Sequence, residues 1–228
     1  MKKLLKIAGF LLLVIAVVIG IYIYSKNESI PRGKEGKKAD ELALKMLRSL
    51  NYEAYKTTRF IEWSFRGKHF YKWDKELDTV SVQWGDNRVS LNTKLPEKSI
   101  VYIKNKKENA PEIRQKAIDY FNNDSFWLVA PYKVFENGIK RSFVSHNNKD
   151  ALLITYTSGG STPGDSYLWI LDENGKPVSY KMWVSIIPVG GIEATWNDWI
   201  TCESGAILPS KHKLSIATLD MGNVKGYN

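Results

Sequence analysis

The sequence predicts a mainly β protein with helices (an α+β fold) in which a large antiparallel sheet curls and helices cover its concave face, behind an N-terminal transmembrane helix. Three observations predict it. Alternating apolar and polar residues recur from residue 61 onward. The links between these runs are too short for the crossovers of a parallel sheet. Ile7 to Tyr24 is an uncharged apolar run, about the length that crosses a bilayer.

The elements follow in order. Residues 1–24 are expected to be the membrane anchor: Lys2, Lys3 and Lys6 precede the apolar run, and Tyr22 and Tyr24 sit at its outer end, where aromatic rings favour the interface. A cleaved signal peptide would have a shorter apolar stretch and small residues at a cleavage site. Here Ile21-Tyr22-Ile23-Tyr24 ends the run instead. Residues 25–38, with Pro31, Gly33, Gly36 and five basic side chains, read as a flexible basic tether. The globular domain is expected over residues 39–228.

Ala39, Leu42, Ala43, Met46, Leu47 and Leu50 form one apolar stripe on a helix. Ile61/Trp63/Phe65, His69/Tyr71/Trp73 and Val80/Val82/Trp84 each alternate with more polar neighbours, as half-buried strands do. Gly67 and Gly85-Asp86-Asn87 supply turns between them. Ser99 to Lys104 is a further strand. Helical spacing returns at Ile113, Ala117, Ile118 and Phe121, after Pro111 at a helix start; Asn122 to Pro131 is expected to leave the helix for a strand or loop. Leu152/Ile154/Tyr156 and Tyr167/Trp169/Leu171 are strands, the latter joined through Asn174-Gly175 to Val178/Tyr180/Met182/Val184, a pattern that predicts a type I′ hairpin. Ile192–Ile200 and Lys213–Leu219 complete a count of about nine to eleven strands and two helices.

The charge of +9 is not spread over the domain. Lys2, Lys3 and Lys6, then Lys26, Arg32, Lys34, Lys37 and Lys38 against Glu28 and Glu35, carry two thirds of it beside the apolar run. Anionic head groups attract such a cluster. A nucleic-acid partner is therefore not expected, since a binder concentrates charge on its folded domain. The single Cys202 excludes a disulfide-stapled scaffold.

No catalytic, metal or cofactor site is expected. His69, His146 and His212 are far apart in sequence, without metal-ligand spacing. Gly159-Gly-Ser-Thr-Pro-Gly164 lacks the Lys and strand-to-helix context of a phosphate loop. Ser161 has no nucleophile elbow around it, and Cys202 has Glu203 beside it where a reactive thiol needs a cation. Asp74, Asp124 and Asp165 read as turn and cap residues, and His69 as a packed histidine. Aromatic density stands out instead. Trp63, Tyr71, Trp73, Trp84 and Trp169 are the candidate lining of an apolar pocket in the curved sheet; the same rings could equally be packed core.

Three stretches are similar to a family of uncharacterised proteins, mainly from Bacteroidetes-type bacteria. They are Phe65-Arg-Gly-Lys-His-Phe-Tyr-Lys-Trp-Asp74, Asn123-Asp-Ser-Phe-Trp-Leu-Val-Ala-Pro-Tyr-Lys133 and Gly160-Ser-Thr-Pro-Gly-Asp-Ser-Tyr167. The resemblance covers about Ala39 to Tyr180. It implies the fold of the periplasmic lipoprotein carriers (LolA/LppX-like), a highly curved antiparallel half-barrel with helices over its concave face, and it implies no reaction. The expectation is a non-enzymatic, membrane-anchored extracytoplasmic protein. It would hold a lipid or a lipoprotein acyl chain in a curved-sheet cavity. The alternative is a protein–protein module of an envelope complex with a solid core and no ligand.

Overall fold

The computed structural model describes residues 9–15, 20, 25–158, 163–215 and 217–228. Within these the chain is mainly β, with three named helices: α1 (Lys37–Ser49), α2 (Tyr52–Thr57) and α3 (Pro111–Val129). The strands are β1 (Phe60–Phe65), β2 (His69–Asp74), β3 (Thr79–Trp84), β4 (Asn87–Asn92), β5 (Ile100–Ile103), β6 (Lys106–Glu108), β7 (Ile139–His146) and β8 (Lys149–Tyr156). They continue as β9 (Ser166–Leu171), β10 (Pro177–Trp183), β11 (Ile192–Thr195), β12 (Asp198–Thr201), β13 (Ile207–Lys213), β14 (Thr218–Asp220) and β15 (Lys225–Tyr227).

All pairings are antiparallel, and the strands sort into three open sheets rather than one. Their orders are β15-β1-β2-β3-β4-β5-β6, β11-β10-β9-β8-β7 and β12-β13-β14. Hydrogen bonds join them where the edge strand of one sheet meets a strand of the next. Ser64 N–H donates to Met221 O and Arg66 N–H to Asp220 O, which stitches β1 to the end of β14. At the other seam Lys213 N–H donates to Thr195 Oγ1, tying β13 to β11. One apolar cluster runs through all three sheets and all three helices.

The period-two reading holds where one face meets water: Ile61, Trp63 and Phe65 are buried and their neighbours half-exposed. It weakens in β8 and β9, where Ala151, Leu153 and Leu168 are buried as well as Leu152, Ile154 and Trp169. A strand covered on both faces reads as a continuous apolar run. The cover on the outer face is the segment expected to be a loose tether. Lys34 pairs with Phe143 through two backbone bonds, and Glu28 N–H donates to Gly190 O. The Trp183 indole donates to Glu28 O, and Lys181 pairs with the Glu28 carboxylate. Val144, Ala151, Leu153, Leu168 and Trp183 form a small apolar cluster on this side, and covering it holds the segment down.

Other local expectations change. The helix predicted to end at Phe121 continues to Val129. Asn122, Asn123, Asp124 and Ser125 are poor helix formers, but burial of the Leu128 and Val129 side chains and the bonds made by Asp124 outweigh propensity. The Asn174-Gly175 turn is not type I′, which needs positive φ at both central residues: Gly175 has φ 89° and Asn174 does not have positive φ. The Asp172 carboxylate accepts from the Asn174 and Lys176 N–H groups and selects a longer loop. Positive φ at both positions occurs instead at Lys104-Asn105, between β5 and β6, and at Asn147-Asn148, between β7 and β8. A bulge at Val178 turns that side chain out of the core. The strand expected over Lys213–Leu219 contains the turn between β13 and β14, closed by Leu214 N–H to Ala217 O.

Of the expected Ile7–Tyr24 span, residues 7, 8, 16–19 and 21–24 lie outside the described residues, as do Gly159 to Thr162 with Ser161. Residues 9–15 and 20 are helical and exposed. Among the described residues no helix is long and apolar enough to cross a membrane.

Candidate functional site

Helix α3 lies against both large sheets. Its first half faces β2–β5 and its second half faces β8–β10 and β13. Phe121 takes the edge of Trp73, with ring centres 5.3 Å apart, and tilts against Trp63 and Tyr71. Tyr120 stacks on His69 at 3.8 Å and meets the edge of Trp84 at 5.3 Å. Further along, Phe126 packs on Tyr167 and Trp127 on Tyr180.

The structure therefore brings Trp63, Tyr71, Trp73 and Trp84 together beneath the first half of α3. Trp169 is elsewhere, in the second sheet, edge-on to Trp196 at 4.8 Å and to Tyr180 at 5.1 Å. The rings fill the space between sheet and helix. Trp63 and Tyr71 stack at 4.4 Å, and Trp63, Tyr71 and Trp169 are 3%, 4% and 1% exposed. The indole N–H groups of Trp63 and Trp73 are buried without a partner among the described residues.

A polar group sits within this aromatic layer. Asp124, 1% exposed, lies between Phe121 and Leu128 on the inward face of α3. Its Oδ2 accepts from the Tyr71 hydroxyl at 2.5 Å and lies 2.7 Å from His69 Nδ1; its Oδ1 accepts from the Asn123 amide at 2.8 Å. A buried carboxylate needs this many donors to offset desolvation. Burial, and after it the Asp124 charge, pushes the Tyr71 phenol far above its ordinary value, so it stays a donor. His69 remains 18% exposed at its side chain. Chemically this is an aspartate-oriented imidazole at the rim of the aromatic layer. Among the described residues His69 is hydrogen-bonded to Asp124, and Asp124 to Tyr71, His69 and Asn123.

Sequence reasoning passed over this cluster because it ended the helix at Phe121. The signal was present: Phe121, Asp124, Ser125 and Leu128 are spaced i, i+3, i+4 and i+7, which places the carboxylate on the apolar face. His69 and Tyr71 alternate on one strand face, so both reach it.

At the far end of α3 His212 is fully buried, with Nε2 2.7 Å from Trp127 O and Nδ1 2.9 Å from Thr195 O. Carbonyl oxygens only accept, so a neutral ring satisfies one of the two contacts. Burial pushes the ring below its ordinary value, and the two carbonyls oppose that. His212 thereby fastens β13 to α3 and to β11. Among the described residues no group of three or more His, Cys, Asp and Glu side chains is placed to hold a metal ion.

Two surface recesses lie outside this core. One, of about 410 Å³, is on the outer face of β1–β3, lined by Glu62, Ser64, Phe70, Lys72, Gln83 and Lys225 among others. The other, of about 390 Å³, lies between Asn27 and the loop that follows Trp183.

The class these features define is a mainly antiparallel β protein with open sheets packed on a central helix. Compared with known proteins, no family model matches the chain, and no curated protein matches it. Among solved structures it is similar to the crystal structure of a DUF1329 family protein from Desulfovibrio piger, at 8% identity over 84% of this chain and 94% of that one. The TM-score of that pair is 0.45, too low to carry an inference about fold or activity.

Proposed function

We propose that this chain is a membrane-anchored, non-enzymatic binding module whose globular domain stands on the extracytoplasmic side and recognises its partner with its outer surface. In this reading the three edge-joined sheets form one open half-barrel, and α3 with its rings is the solid filling of the concave face. The observation that carries it is the packing of the expected pocket lining: Trp63, Tyr71 and Trp169 are almost wholly buried against protein rings. Of the two surface recesses, the one on β1–β3 suits this role. There Phe70 is 51% exposed beside Lys225 and the Lys72–Glu62 ion pair, which suits a protein partner offering an apolar side chain within a polar rim. Anchoring rests on the apolar run Ile7–Tyr24 and its basic flanks.

A second reading has one observation in its favour. The unpartnered indole N–H groups of Trp63 and Trp73 lie beside Phe121. A lipid or lipoprotein acyl chain entering beneath a displaced α3 would bring ester or amide carbonyls to them.

Native mass spectrometry of the full chain, paired with thermal unfolding in the presence of fatty acids and lysophospholipids, separates the two. The solid-core reading expects no co-purified lipid and no change in Tm. A one-to-one lipid adduct that raises Tm would overturn it and establish the second, since a ligand bound only to the folded state must stabilise it.

A further inference from the structure

We infer that the loop Val184-Ser-Ile-Ile-Pro-Val-Gly190 is a second membrane contact, dipping into the interfacial layer of the same bilayer that the N-terminal segment enters. The inference rests on the anchored reading above.

The loop carries seven residues without a charge. Ile186 at its tip is 74% exposed, more than any other large apolar side chain among the described residues. Pro188 is exposed too, and Ile187 half so. Two of its N–H groups turn back into the domain: Ile187 N–H donates to Val184 O, and Ser185 N–H to the Asp165 carboxylate. What the tip offers outward is apolar side chain, as a membrane interface requires.

Its position supplies the partner. The chain leaving the apolar run is fastened to this loop within a few residues. Gly190 N–H donates to Asn27 Oδ1 at 2.7 Å, Glu28 N–H donates to Gly190 O at 3.0 Å, and Trp183 Nε1 donates to Glu28 O at 2.7 Å. The approach is backbone-close: a Cβ on Gly190 would lie 2.6 Å from Glu28 O, and one on Gly191 2.7 Å from Glu28 Cβ. Asn27 is three residues from Tyr24, so the loop's base lies within about 11 Å of the end of the apolar run. The polar layer on each side of the hydrocarbon is of comparable depth, roughly 5–8 Å. An uncharged tip held there reaches the acyl boundary at the depth used by peripheral apolar anchors.

The test uses the full chain in liposomes, with Cys202→Ser removing the native thiol and Ile186→Cys carrying an environment-sensitive fluorophore. Leu77→Cys, 59% exposed on the β2–β3 turn, is the comparison. Lipids bearing a nitroxide near the head group should quench the label at 186 at least about twofold more than at 77, with aqueous iodide showing the reverse order. Equal iodide quenching at both sites, in protein that still floats with the liposomes, overturns the loop contact and leaves the anchor standing. A label at 186 shielded from both quenchers marks a protein contact and overturns it as well. Protein that does not float overturns the anchored reading and the loop contact with it.

Discussion

Tyr71→Phe and Asp124→Ala should be strongly non-additive. Tyr71→Phe removes one oxygen while the ring stays stacked on Trp63 at 4.4 Å, so no cavity opens. The hydroxyl donates to a buried carboxylate oxygen at 2.5 Å, and such a charge-assisted bond contributes about 1.5–3 kcal/mol. Asp124→Ala strips the acceptor from Tyr71, His69 and Asn123 at once and costs about 3–5 kcal/mol, as breaking buried pairs does. For a domain of this size that lowers Tm by roughly 10 °C. In the Asp124→Ala background the Tyr71 hydroxyl is an orphan, so removing it costs nothing or stabilises. The cycle should therefore return a coupling of at least about 1.5–3 kcal/mol. Urea unfolding of the full chain in a mild detergent, followed by tryptophan fluorescence, measures all four corners. Additivity within about 0.5 kcal/mol would refute the claim that Tyr71 and Asp124 act on each other.

Three further perturbations probe other parts of the fold. His212→Gln removes a ring that burial holds below its ordinary value of about 6.5. The unfolded chain protonates first on acidification, so wild type should lose stability faster than the variant as pH falls below about 6.5; parallel stability curves in urea titrations would contradict this. Lys75 is pushed down to about 8 by burial and lies 4.0 Å from the centre of the Tyr55 ring. The unfolded lysine, with the higher value of 10.5, holds its proton longer, so stability should rise between pH 8 and 10. That rise should be missing in Lys75→Met, which keeps the stem packed. Gly190→Ala should release the segment over the outer face: the added Cβ meets Glu28 O at 2.6 Å. Trypsin should then cut at Arg32 and Lys34 several-fold faster with the unfolding transition little changed. Unchanged digestion would show that the segment is held elsewhere.

What could be read in advance followed the side-chain period. Ile61, Trp63 and Phe65 declared their face because their neighbours meet water, and the α1 stripe Ala39/Ala43/Met46/Leu47 declared its own. Where both faces are covered the period vanishes, so β8 and β9 were legible as strands while the covering segment 27–34 was not. Asp124 was illegible for another reason. A carboxylate on an apolar face reads as the end of a helix unless its partners Tyr71 and His69, more than fifty positions away, are known. Turn type was the least legible. Asn174-Gly175 has the commonest type I′ pair, yet the Asp172 carboxylate imposes a different loop, whereas Lys104-Asn105 takes positive φ with no glycine at all.

The strand that carries the contacts with Glu28 also carries the core. Along β10, Lys181 and Trp183 face Glu28 on one side, while Tyr180 and Met182 on the other are buried. Tyr180 packs on Trp127 of α3 and on Trp169. Because successive residues of a strand point to opposite faces, fastening the chain at Glu28 fixes the strand on which the aromatic filling rests. A domain hung on fourteen unattached residues would sample an end-to-end distance of about 20 Å. Fastened at Asn27, Glu28 and Lys34, it is mounted instead. In the proposed anchored arrangement, a mounted module would hold the Phe70 recess at one height above the bilayer, and this would favour a partner in the same membrane over one arriving from solution.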